Sequence, residues 1–230
     1  MDLNREELKK IPIFSTFDDD EIKEIAPYLI REAAGKKQEI FSEGDTPDWF
    51  YIVFSGKVKI TKLSHDGREI ILEVISPFDF FGGLAVLKGF PYPANAVAME
   101  DSVVVKISRN NLLKVIDRFP GVMYDMTSNL GDRIRDFHDT LKNIALEKVE
   151  ARIAALLLKL AGKTGVKAAG GTMINMRLTK QDIAEMVGAT VETAIRVMSK
   201  FRKAGFINNE GGKIVVKNHE ALKAVLDPVY

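Results

Sequence analysis

Between Pro120 and Leu146, apolar residues return every three or four positions: Met123, Met126, Leu130, Ile134, Phe137, Leu141 and Ile144. That spacing predicts one helix with a single apolar seam, with Pro120 at a permissible first-turn position. At about 1.5 Å per residue the helix runs to roughly 40 Å, long for a domain of ordinary size. A core helix laid over a neighbouring domain is one use for such a seam. Pairing with a second copy is the other, and it is favoured because the seam outlasts any face that one small β domain can bury. Met126, Leu130, Ile134, Phe137, Leu141 and Ile144 are therefore the candidate dimer interface.

What lies on either side of this helix differs in kind. From about Tyr28 to Ile107 the chain alternates strand-like runs ("WFYIVFSG", "KVKITKL", "EIILEVI", "SVVVKI") with turn residues such as "EGDTPD" and "SHDG". Gly35, Gly44, Gly56 and Gly67 recur about every ten residues, which argues for a compact antiparallel β-roll or sandwich. Before it, "TFDDDEIKEIAPYL" opens with acidic residues suited to a helix N-terminus. After the long helix come a helix, "EKVEARIAALLLKLAGKTG", a short strand in "TMINMRL", and two helices joined by a glycine turn. Thr179 and Thr190 are placed to cap these two helices, and Gly188 to end the first. "FINNEGGKIVV" then reads as a small hairpin, so the whole C-terminal segment matches a winged helix-turn-helix. The expected class is α+β, with domains at 1–119 (β-roll), 120–146 (dimerisation helix) and 147–230 (winged helix-turn-helix).

Charge separates the same halves. The net charge of +1 hides 19 basic against 24 acidic residues in 1–146, net −5, and 14 against 8 in 147–230, net +6. A basic half is suited to a polyanion. The absence of cysteine excludes disulfides, thiolate metal sites and the usual iron–sulfur clusters. No apolar run approaches the roughly 18 residues of a spanning helix, and "MDLNREELKK" is too charged for a secretory signal; the expected place is the cytoplasm, with no membrane partner. There is no nucleophile–base pairing, metal-ligand spacing or P-loop, so an enzyme is not expected and no catalytic residue is assigned.

On the second of the paired helices, Ala194, Val197, Met198 and Phe201 fall on one stripe and should face the core. The opposite face carries Val191, Glu192, Ile195, Arg196, Ser199, Lys200 and Lys203. Arg suits guanine and Glu accepts from cytosine N4, and both stand in the first turns, where a recognition helix meets base edges. An ordinary surface ion pair is the competing use of Glu192 and Arg196. Ile195 argues against it, since a β-branched apolar residue on a solvated face is odd, whereas it suits a thymine methyl. Lys200, Lys203, Arg202 and the wing's Lys213 are expected phosphate contacts, a basic solvated surface being the competing use of each, with Thr179, Thr190 and Thr193 at the helix starts.

The segments "LTKQDIAEMVGATVETAIRVMSKFRKAGFI", "FSEGD", "FYIVFSGKVKI" and "FFGGLAVLKGFPYPANAVAMED", in the order β-roll, long helix, winged helix-turn-helix, resemble the CRP/FNR family of bacterial transcription regulators. The resemblance implies a cyclic-nucleotide-binding-like jelly roll, a homodimer, a palindromic double-stranded DNA operator and RNA polymerase as a partner in activation. It places Glu192 and Arg196 at the family's base-reading positions. "VET" is closer to the FNR branch than to the CRP branch, although that branch usually has Ser where Ile195 stands.

The resemblance also locates the effector site. Its cyclic-AMP cassette, Gly-Glu-Leu followed by Arg-Ser or Arg-Thr, is matched here by Gly82-Gly83-Leu84 and Ala94-Asn95, beside Phe81; the adenine-facing pair is matched by Phe137 and His138. Both charged anchors are absent, which argues against cAMP because a buried phosphate needs a charged partner. Backbone N–H groups of the "FGGL" turn remain a means of holding a phosphate. Some relatives sense gases through haem, and His138 is the candidate ligand for that chemistry. The effector is thus an unidentified small molecule or gas.

Overall fold

The computed structural model describes residues 5–226. The chain divides into two compact units, meeting between Ile134 and Arg135. In the first, α1 (Arg5–Leu8) and α2 (Asp19–Ile25) precede the strands. Asp18 starts α2 with a full capping box: its side chain accepts from Asp20 and Glu21 N–H, and the Glu21 side chain accepts from the Asp18 N–H. Strands β1 (Ile30–Ala34), β2 (Glu39–Phe41), β3 (Trp49–Ser55), β4 (Val58–Leu63), β5 (Glu69–Ile75) and β6 (Phe80–Phe81) follow. A short helix, α3 (Gly83–Lys88), leads to β7 (Asn95–Ala98), β8 (Ser102–Ser108) and α4 (Arg109–Arg118).

These strands form two antiparallel four-stranded sheets, in the orders β1-β8-β3-β6 and β2-β7-β4-β5. Phe50, Ile52, Phe81, Val104 and Ile107 are buried in a single core with Leu112 of α4 and Phe14 and Ile25 of the N-terminal segment. The roll expected from the recurring glycines is therefore present, and α4, capped by Ser108, is an addition to it.

α5 (Gly121–Leu146) is the long helix. Its first turns belong to the roll: Val122 and Met126 are buried in the same core. Met126 stands on the seam by its spacing, yet its side chain is spent on the roll, under Gly83 and beside Phe50. It is thereby removed from the set of interface residues.

The second unit holds α6 (Val149–Thr164), β9 (Gly165–Ala168), β10 (Gly171–Ile174), α7 (Lys180–Val187), α8 (Val191–Lys203), β11 (Ile207–Glu210), β12 (Lys213–Val216) and α9 (His219–Leu226). Its sheet runs β11-β12-β10-β9, so the hairpin β11–β12 is extended by two further strands. β9 begins at Gly165, the last residue of the stretch expected for α6, and is a strand not expected from the sequence. Val166 is its one β-branched residue, and the strand exists through its pairing with β10. Ile153, Leu157 and Leu160 of α6 are buried, as are Ile183 and Val187 of α7 and Val215 of β12.

Candidate nucleic-acid interface

The geometry of α7 and α8 is fixed locally. Thr179 and Asp182 cap α7 reciprocally: Asp182 N–H donates to Thr179 Oγ1 at 3.0 Å, and Thr179 N–H donates to Asp182 at 2.8 Å. Gly188 ends α7 at φ 61°, in the left-handed region that costs glycine nothing. Arg152 of α6 donates to the carbonyl of Val187 at 2.6 Å, holding that turn from the side. Thr190 then caps α8 through Thr193 N–H, and the two threonine hydroxyls lie 3.0 Å apart.

This start sets the roll of α8 about its axis. Ala194, Val197, Met198 and Phe201 are buried, which forces Glu192, Ile195, Arg196 and Lys203 outward. Val191 and Ser199 are half-buried at the edges. Among the described residues, no ion pair joins Glu192 to Arg196. The competing use of these two residues, a surface salt bridge, is not made, and their hydrogen-bonding capacity is directed away from the chain.

Three of the expected phosphate and backbone contacts are otherwise engaged. Lys200 pairs with Glu150 of α6 at 2.7 Å. Lys213 donates to Asn175 Oδ1 at 2.7 Å. The Thr179 hydroxyl is taken by its capping box, donating to Asp182 at 2.7 Å. Arg202, an expected phosphate contact, stands elsewhere beside Lys180, a cation not anticipated from the sequence. Lys180 and Arg202 line one cavity of about 130 Å³ between α7, α8 and β11, together with Ile195, Ser199 and Asn208. Burial, and after it the charge of Arg202, holds the Lys180 ammonium below its usual range. The sequence did carry a signal: neither residue has an acid three or four positions away on its own helix.

At the other end of the chain, the residues matched to the family's effector cassette are packed by their neighbours. Gly82 takes φ 77° to open the six-residue α3, and a Cβ there would stand 3.1 Å from Tyr92. A Cβ on Gly83 would meet Phe50 at 3.0 Å and Met126 at 3.2 Å. Phe81 is 1% exposed and stacks on Tyr51 at 5.1 Å; Phe41 stacks on Tyr92 at 3.8 Å. Burial pushes the Tyr92 hydroxyl up to about 12, and it donates to the Trp49 carbonyl. Phe81 and Ala94 are thus core residues rather than the wall of an open pocket. Asn95 accepts from Glu43 N–H at 2.7 Å, which makes it a link between β7 and the segment after β2. Leu84 alone of this group is exposed.

Phe137 and His138 belong to the second unit, and both are exposed on α5. Leu130, Ile134, Phe137, Leu141 and Ile144 are between 37% and 55% exposed along α5. A row of large apolar side chains on one helix face, left open in the single chain, is a surface that water penalises. Among the described residues, no helix is long and apolar enough to cross a membrane.

Comparison with known proteins agrees with this organisation. Residues 31–119 match a family model described as a cyclic nucleotide-binding domain, and residues 151–225 one described as a Crp-like helix-turn-helix domain. The chain is 32% identical over 183 residues to a CRP-like cAMP-activated global transcriptional regulator of Mycobacterium tuberculosis, covering 80% of this chain and 82% of that protein. It is 27% identical to the cyclic AMP receptor protein of Thermus thermophilus, over 95% of this chain and 98% of that one. The solved structure of FixK2 from Bradyrhizobium japonicum superposes with a TM-score of 0.76 at 25% identity, covering 86% of this chain and 96% of that chain. With its cyclic-nucleotide-binding-type roll and DNA-binding helix-turn-helix, the chain belongs to the CRP/FNR family of transcription regulators.

Proposed function

We propose that the protein is a homodimeric, sequence-specific DNA-binding regulator whose roll responds to a small-molecule effector other than cAMP. Residues 1–119 sense, 120–146 pair two copies, and 147–230 read DNA. The observation that carries the reading is α8 itself: one face is wholly buried, while Glu192 and Arg196 stand exposed in its first turns without pairing to each other. Arg196 donates to guanine and Glu192 accepts from cytosine, with Thr190, Val191, Thr193, Ser199 and Lys203 against the adjoining bases and backbone. The apolar row on α5 supports pairing between copies, which sets two recognition helices on one face of a palindromic operator in the cytoplasm. RNA polymerase is the protein partner of the bound dimer.

Gly83 and Ala94 stand where the family's charged cassette residues do and bring no charge, which supports an effector other than cAMP. Such an effector acts by binding the DNA-competent arrangement of the dimer more tightly than the other. A cyclic nucleotide held by backbone N–H groups is the second reading; the Gly82–Gly83 turn and the 32% identity to a regulator named for cAMP favour it. Selection of duplexes from a randomised pool tests the main reading. Two-fold sites with half-sites about 34 Å apart are expected. Sequence-independent recovery overturns it. Repeating the selection with cAMP and with cGMP separates the two effector readings.

A further inference from the structure

We propose that the cavity between α7, α8 and β11 seats one phosphodiester of the DNA backbone, clamped between Lys180 and Arg202. This rests on the reading of the second unit as a DNA reader and adds a site to it. Three observations support it. The cavity, about 130 Å³, has room for several waters or one phosphate group. Two cations line it, and among the described residues neither has an acidic partner. The nearest acid on the wing, Glu210, does not line the cavity and is approached by Asn208 at 3.5 Å. Of the four cations expected to meet phosphates, Lys200 and Lys213 are paired with Glu150 and Asn175, while Arg202 lines this cavity.

Two like charges facing one partly buried space repel each other, and Lys180 registers this as a lowered affinity for its proton, from burial first and Arg202 second. An anion between them offsets both costs by favouring the charged ammonium. DNA is the source of that anion because the cavity is continuous with the base-reading surface: Ile195, 49% exposed one residue before Arg196, belongs to both. Met198, Ile207 and Ile214 give the cavity an apolar floor suited to a deoxyribose, while the Ser199 hydroxyl is at hand for a phosphate oxygen.

The test is the salt dependence of binding by the full chain to a duplex taken from the selection. One phosphate neutralised on B-DNA contributes about 0.9 to the slope of log affinity against log salt. Lys180→Gln and Arg202→Gln are each expected to lower the slope magnitude, and the double variant by about 0.9 in all, since both cations hold one phosphate. The selected sequence stays the same. Replacing backbone phosphates one at a time by methylphosphonates should reveal one position that weakens the wild type and leaves the double variant unaffected. Thermal melts equal to or above wild type check folding, because each substitution removes one of two like charges. An unchanged slope in the double variant, with sequence preference intact, overturns the clamp and leaves the DNA reading standing. A loss near 1.8 means two separate phosphates and also overturns it. Absence of any sequence preference in the wild type would instead remove the reading on which the clamp rests.

Discussion

At the turn between β6 and α3, the roll presents Gly82, Gly83 and Ala94 beside the packed rings of Phe41, Tyr51, Phe81 and Tyr92. α8 presents Glu192, Ile195 and Arg196 over a stripe that is fully buried. Both ends rest on a close-packed support, but they differ in what it leaves at the surface. The roll leaves the Leu84 side chain and the half-buried backbone of Gly82; on α8 Glu192 and Arg196 are left as charges without partners. A charge held outward at a fixed position has a solvation shell to exchange and a direction in which to exchange it, which is the condition for reading base edges. A glycine turn over aromatic rings has no such charge, so recognition there rests on shape and on backbone N–H groups. The DNA-reading end therefore announces the chemistry of its ligand, and the sensing end does not.

The largest effect is expected where the seam is broken, because paired recognition helices gain affinity only while the copies stay joined. Leu130→Asp or Ile134→Asp puts a carboxylate among side chains that must be desolvated to pair. Sedimentation should find monomers, and binding to a two-fold site should fall about 10²–10⁴-fold, the usual gain from linking two binding modules. Dimers that survive both substitutions would show that the α5 row is covered by something other than a second copy.

Next in size is the support beneath the sensing end. If Phe81 is a core ring, Phe81→Ala costs about 3–5 kcal/mol in denaturant unfolding. A loss near 1 kcal/mol would mean that the ring faces an open space, and the contrast between the two ends would collapse. Smaller again is the contribution of one base contact. Arg196→Ala should cost about 1–3 kcal/mol of specific binding and much less of non-specific binding. Equal losses in both would move Arg196 from a base to a phosphate.

How far these regions were legible follows from how local their determinants are. The caps at Thr179 and Thr190, the stop at Gly188 and the 3.6-residue stripe of α8 depend on residues within four positions of each other, so the helix-turn-helix could be read directly. The seam of α5 was legible as a period, but its use was not. Met126 fits the same spacing as Leu130 and is nevertheless buried against Phe50, more than seventy positions earlier. The ion pair of Lys200 with Glu150 spans fifty positions, and the contact of Lys213 with Asn175 spans thirty-eight. Such pairings depend on how α6 and the wing sheet come against α8, and no period records that. Lys180 and Arg202 meet for the same reason: the turn at Gly188 folds α8 back beside the start of α7.

The smallest expected effect distinguishes the two ends most cleanly, because it concerns a single methyl group. Ile195 is 49% exposed, between Glu192 and Arg196, where an apolar β-branched side chain gains nothing from water. In the major groove the one apolar group on a base edge is the thymine C5-methyl. Replacing thymine by deoxyuridine removes that methyl and leaves pairing and every hydrogen-bonding group intact. At one position of each half-site this replacement should weaken the wild type by about 0.8 kcal/mol, the transfer value of one buried carbon. With Ile195→Ala the same replacement should cost nearly nothing, and 5-methylcytosine at that position should recover part of the wild-type affinity. If the loss is the same in both proteins, the methyl acts through the shape of the duplex, and Ile195 belongs only to the floor of the Lys180–Arg202 cavity. If the loss disappears with Ile195, the same side chain serves two surfaces: its exposed edge reads a base while its inner edge lines the phosphate seat. That would couple sequence preference to backbone contact within one turn of α8.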